Sequence, residues 1–167
     1  MTTYWLRIHA YLERKAPEIL ADLRPGASTR AIELLEQKLQ IRLPNDFAAC
    51  LKVHNGQTDN AAGLFNGLTF LGTEAIAQEW DIWQRLLLEG DLPSGPKPEA
   101  GILLRWWDCG WVPFTSNGSG DHLCIDLNPG IGGTSGQVIS VWHDDARRTL
   151  KAHSFEKWIS DFAKQLA

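Results

Sequence analysis

Apolar positions recur at helical intervals through the first half of the chain and at strand intervals through most of the second. Trp5, Ile8, Leu12, Ile19 and Leu20 lie at mostly helical spacing with Arg7, Glu13 and Arg14 between them. This predicts a helix over about residues 3–22 that Pro25-Gly26 brings to an end. Ser28 caps a second helix to about Leu39, with Ile32, Leu35 and Leu39 as its stripe. Pro44 suits the first turn of a third helix that buries Phe47, Leu51 and Val53, and Asn55-Gly56 ends it in left-handed geometry. From Gly63 to Leu71, alternating Leu64, Leu68 and Phe70 among glycines predict a strand or a hairpin. Thr73 caps a fourth helix to about Glu89, with Ile76, Trp80, Trp83 and Leu87 as its apolar face and Gly90 as its stop. Residues 91–101, with three prolines and two glycines, read as an exposed loop.

After Ile102 the period shortens. Trp111–Thr115, His122–Leu127 and Gln137–His143 read as strands, separated by Asn117-Gly118-Ser119-Gly120 and by the tract from Asn128 to Gly136. Arg148–Lys151 adds a short edge strand. Ser154 then caps a closing helix with Phe155, Trp158, Ile159, Phe162 and Leu166 inward. Short connections make the sheet mainly antiparallel. Helices, then a sheet, then a helix describe an α+β fold in a single domain over residues 1–167.

Composition narrows the function. The 167 residues, 44% hydrophobic and 22% charged, fit one globular domain able to bury roughly 70% of its unfolded surface without a metal or disulfide. A net charge of −4, with no basic run longer than Arg147-Arg148, argues against nucleic acid as a partner. Mild acidity is compatible with a basic protein partner. Cys50, Cys109 and Cys124 are widely spaced among apolar neighbours, so buried free thiols in a reducing compartment are expected. The N-terminus lacks the basic start and apolar run of a signal peptide, and no stretch is apolar enough to span a membrane. A cytoplasmic protein is expected.

Catalytic chemistry is hard to place. Gly118-Ser119-Gly120 is too short for a nucleophile elbow and joins two strands. The glycine-rich tract from Gly130 to Gly136 has no phosphate-binding lysine, and a strand follows it where a helix should. The five histidines are scattered, and His143-Asp144-Asp145 reads more simply as a solvated turn than as a cation site. No catalytic residue, cofactor or metal is expected. The remaining cluster is Arg105-Trp106-Trp107-Asp108-Cys109-Gly110-Trp111, with three indoles in six residues. In a strand, Trp106 and Trp107 face opposite sides, so one is exposed or lines a groove unless the 91–101 loop covers both.

Several motifs then fall in a telling order: Arg24-Pro25-Gly26-Ala27-Ser28, Leu43-Pro44-Asn45-Asp46-Phe47, His54-Asn55-Gly56-Gln57, Trp111-Val112-Pro113-Phe114, Gly120-Asp121, Cys124-Ile125-Asp126-Leu127, Gly136-Gln137-Val138-Ile139 and Ser154-Phe155 with Trp158-Ile159. From about Trp5 to Phe162 the chain resembles the SUKH superfamily, which takes part of its name from a fungal cell-wall-assembly regulator. The resemblance implies a twisted, mainly antiparallel sheet packed by helices, and function by protein binding. Bacterial members are commonly immunity proteins that neutralise a secreted toxin; fungal members are scaffolds or regulators of cell-wall assembly. The compact chain without long disordered arms favours the immunity kind, with a cognate toxin as partner, a nuclease among the candidates. Trp80, Trp106 and Trp107 are then the expected anchors, ringed by Asp59, Asp81, Asp108 and Asp121 against a basic toxin site, over about 1,600 Å² of interface. A regulatory scaffold with several weak partners is the alternative, and a small-ligand binder or enzyme is a third reading. An exposed tryptophan patch would serve a homodimer equally well.

Overall fold

The computed structural model describes residues 1–166. The stretch expected as one helix over residues 3–22 is two, α1 (Thr2–Lys15) and α2 (Pro17–Asp22). Pro17 has no N–H to give back to the preceding turn, and its ring pushes Ala16 out of the helical region, to φ −153° and ψ 60°. α3 (Thr29–Leu39) follows the expectation, with the Ser28 hydroxyl accepting the N–H of Ala31 at 3.1 Å. α4 (Asn45–Leu51) stops before Asn55-Gly56, so Gly56 caps no helix. Its positive φ of 78° lets the chain turn tightly against Leu71 and Gly72, where a Cβ would lie 2.2 Å from the Gly72 nitrogen.

Residues 63–68 form tight bridges, Gly63 with Gly67 and Phe65 with Leu68, that lead into β1 (Thr69–Phe70). α5 (Thr73–Glu89) has Gly72, not Thr73, at its cap, and Asn55 Oδ1 accepts the Thr73 N–H at 2.8 Å. Gly90 ends it in left-handed geometry with φ 75°. β2 (Lys97–Pro98), β3 (Trp111–Pro113), β4 (Thr115–Ser116), β5 (His122–Asp126), β6 (Gln137–Val141) and β7 (Arg147–Ala152) follow, and α6 (Phe155–Gln165) closes the chain under its Ser154 cap.

Five strands form one sheet in the order β2-β7-β6-β5-β3, antiparallel except for the parallel β2–β7 pair, while β1 pairs separately with β4. Two expectations change here. The 91–101 tract contributes a strand, and β7 is therefore one place in from the edge. A two-residue strand carries no alternation to read, and Pro98 is tolerated because β2 is the edge.

Period-two alternation sends Val112, Leu123, Ile125, Val138 and Ala152 to one face of the sheet, against the helical residues Trp5, Ile8, Phe47, Phe155 and Ile159. Trp111, Cys124, Ile139 and Val141 face the other way, into a second, smaller core with Trp83, Ile102 and Trp107. Both faces are covered, so β5 and β6 expose no residue. Cys50 and Cys124 are buried, and burial pushes the Cys50 thiol up to about 12. Cys109 is exposed, contrary to expectation, because it sits on the turn between Asp108 and Gly110. Among the described residues, no helix is long and apolar enough to cross a membrane.

Candidate partner-binding cleft

The tryptophan cluster turns inward. Trp106 is 8% exposed and Trp107 fully buried, so the expectation that one of them is exposed or lines a groove is corrected. That expectation assumed a strand, whereas the segment is irregular and free of two-fold alternation. Trp107 stacks on Trp83 with ring centroids 5.2 Å apart and meets Trp111 edge-on at 6.0 Å. Trp106 lies beneath the Arg148 guanidinium, 4.9 Å from its ring centre. Asp108 is buried as well and shapes the local turn, accepting from Arg105 Nη1 at 2.8 Å, the Gly110 N–H at 2.9 Å and Asn128 Nδ2 at 3.1 Å. As the structure stands, these three side chains offer a partner almost nothing.

The other expected residues are nearer the surface but not together. Trp80 is half-buried and donates its indole N–H to the Cys109 carbonyl at 3.0 Å. Asp81 pairs with Lys38 at 3.0 Å, tying α5 to α3. Asp121 accepts from Asn117 Nδ2 at 2.7 Å and from His143 at its backbone N–H and ring Nδ1. Burial pushes its carboxyl up, but those hydrogen bonds outweigh burial and hold it below the usual carboxylate range. Ligand atoms of Asp121, His143 and Asp144 gather within 4.8 Å, while Asp145 turns away to Arg147. The sequence triplet at 143–145 is thus not the cluster that forms.

Asp59 is exposed at the lip of a cleft of about 300 Å³ lined by Arg24, Thr69, Ala75, Glu79 and Asn117. Sequence reasoning missed this concavity. Its floor depends on Gln57, which is buried and uses every hydrogen-bonding position it has. Its Nε2 donates to Asp22 Oδ2 at 3.0 Å and to the Ala62 carbonyl at 3.1 Å; its Oε1 accepts the N–H groups of Leu64 at 2.9 Å and Phe70 at 3.0 Å. Asp22 also accepts from the Thr58 hydroxyl and the Asn60 N–H. Gln57→Leu would take away the partner of two buried N–H groups, one carboxylate oxygen and the Ala62 carbonyl. We expect it to lower stability by about 2–3 kcal/mol, read from the urea midpoint at unchanged slope.

Two histidines contact residues that line the cleft, Arg24 and Glu79. His54 Nδ1 donates to the Arg24 carbonyl at 2.7 Å, so its Nε2, 2.8 Å from His9 Nε2, accepts from His9 when both rings are neutral. On the other side His122 is fully buried; its Nδ1 donates to the Thr115 carbonyl at 2.8 Å and its Nε2 lies 3.6 Å from Glu79 Oε2. Burial pushes both His54 and His122 below the ordinary histidine value. The unfolded chain then binds more protons than the folded one below about pH 6.5. Stability from these groups is present above that pH and lost as pH falls towards their folded values. The exposed His143, raised by its hydrogen bond to Asp121, acts in the opposite sense. Two sites outweigh one exposed site, so the melting temperature should fall from pH 7.5 to pH 5.5; a rise would contradict the assignment.

Comparison with known proteins shows the family. The SMI1 / KNR4 family (SUKH-1) matches residues 26–161. The chain is 28% identical, over 93% of its length, to the cell wall biosynthesis/cell cycle regulator smi1 of Schizosaccharomyces pombe. It is 25% identical over 98% of its length to a glucan synthesis regulatory protein of Neurospora crassa, and 22% identical over 97% to the cell wall assembly regulator SMI1 of Saccharomyces cerevisiae. It spans 34%, 38% and 39% of those three proteins. The matched span takes in Gln57, Asp59, Glu79 and His122, and with most of its residues inside that match, the chain belongs to the SMI1/KNR4 (SUKH-1) family.

Proposed function

We propose that the chain is a regulatory protein-binding module, working in the cytoplasm, of the kind carried by fungal regulators of cell-wall assembly and glucan synthesis. The observation that carries this reading is the family match together with the names of those three relatives, each a regulator. The cleft supports it: its lining of Arg24, Asp59, Glu79 and Asn117 supplies charge and hydrogen bonds for recognition. Neutralisation of a secreted toxin, which the sequence resemblance also implied, has no counterpart in those names. The two readings differ in what they bind: one stoichiometric nanomolar complex for an immunity protein, several micromolar complexes for a regulator.

A domain exchange tests the cell-wall part. The matching segment of the fission-yeast relative is replaced by this chain, and cells lacking that relative are scored for resistance to a wall-digesting glucanase. Rescue by the exchanged protein, lost when Thr69→Arg fills the cleft, is the expected result. Failure of a stably expressed exchange would remove the cell-wall reading for this chain.

A further inference from the structure

We propose that the cleft receives a basic side chain, lysine or arginine, from the protein partner, held by Glu79 with His122 behind it and by Asp59 at the lip. The inference rests on the protein-binding reading and adds the chemistry of what is bound. Its core is one juxtaposition. His122 gives its Nδ1 proton to the Thr115 carbonyl, so in the neutral ring Nε2 presents a lone pair. That nitrogen is buried with no hydrogen-bond partner, and Glu79 Oε2, itself an acceptor, lies 3.6 Å away. Two acceptors face one another with no donor between them, and Glu79 opens onto the cleft. An incoming ammonium or guanidinium N–H at ordinary hydrogen-bond distance from the Glu79 carboxylate supplies the donor that buried His122, which does not line the cleft, withholds from it.

The rest of the cleft agrees. Asp59 gives one carboxylate oxygen to the Thr69 hydroxyl at 3.0 Å and keeps the other for a ligand. Ala75, with the buried Phe70 and Leu71 beside it, gives the cleft an apolar side against which the methylenes of a long basic side chain lie. About 300 Å³ suits one such side chain, at the lower end of ligand sites. Arg24 on the opposite lip meets the partner's carbonyls, and two carboxylates against one guanidinium disfavour an anion. The chain's net charge of −4 speeds encounter with a basic partner.

The groups facing His122 are Glu79 from α5, Asp121 beside it, the Thr115 carbonyl from β4 and the Trp83 ring at 6.3 Å. The two acids favour its protonation and burial opposes it; burial prevails, leaving the lone pair available. Protonated His122 would instead close on Glu79 and shut the basic group out.

The test is a titration of the full chain with N-acetyl-arginine amide at pH 7.5, followed by backbone amide shifts, with N-acetyl-citrulline amide as the neutral isostere. Shifts confined to residues 57–59, 67–72 and 115–118, at least tenfold weaker with citrulline and with Glu79→Gln, are expected. Shifts elsewhere, no shifts, or equal response to the neutral isostere would overturn the proposal, and the isostere comparison needs no variant. A His122 titration midpoint above the ordinary histidine value would overturn it too, by making His122 the ion-pair partner of Glu79. Partners captured equally by wild type and a folded Glu79→Gln chain sink this inference and leave protein binding standing. Capture of no protein at all sinks the underlying reading.

Discussion

Replacing Arg148 with methionine lowers stability by about 3–5 kcal/mol, one of the two largest losses we expect from a change outside the helical core. Arg148 is fully buried on the indole face of the sheet. Its Nε and Nη2 donate to the Trp106 carbonyl at 3.1 and 2.8 Å; its Nη1 reaches the carbonyls of Asp145 at 2.6 Å, Arg147 at 2.9 Å and Trp142 at 3.2 Å. Burial pulls its pKa down to about 10, so the group stays charged at neutral pH. Methionine fills much of the space but leaves those carbonyls without donors. Lysine fares little better, since an ammonium cannot serve carbonyls on two sides as a planar fork does. Urea midpoints of the three proteins check this: both variants fall, and methionine falls further.

Trp107→Ala costs about as much, 3–5 kcal/mol, by a different mechanism. The side chain is fully buried between Trp83 and Trp111, so truncation leaves a large cavity in a small core that cannot close over it. Loss of the Trp83–Trp107 stack should also reduce the near-ultraviolet circular dichroism of the indoles. Trp107→Phe restores part of the loss. If the phenylalanine variant folds and binds partners as the wild type does, Trp107 acts as a core residue. If it folds and binds nothing, the indole contacts a partner and the site described above is misplaced.

The legibility of the sequence followed the range of each interaction. Ser28, Gly90 and Ser154 act within one turn of themselves, and all three helix ends could be read directly. Pro17 was equally readable, yet the apolar spacing on either side of it masked the break. β2 was invisible because a two-residue edge strand has no period. Trp106 and Trp107 were misjudged because their exposure depended on a strand that never forms. Of the expected site only Asp59 reaches the cleft directly, and Asp121 is joined to it through Asn117. Gln57 stood in a family motif, but its four hydrogen bonds reach from Asp22 to Phe70, beyond any local pattern. The facing of Glu79 and His122 is set by how α5 packs on the sheet, which no spacing along the chain encodes.

The most direct test of protein binding through the cleft is quantitative affinity capture from the cells that make this chain. It would compare wild type, Thr69→Arg in the cleft, and Ile131→Ser on the exposed glycine-rich loop, each first shown to melt cooperatively. Wild type and Ile131→Ser are expected to retain the same proteins, and Thr69→Arg to lose them. Capture unchanged by Thr69→Arg would place the partner on another surface, and capture of no protein by any of the three would contradict a protein-binding role for this chain.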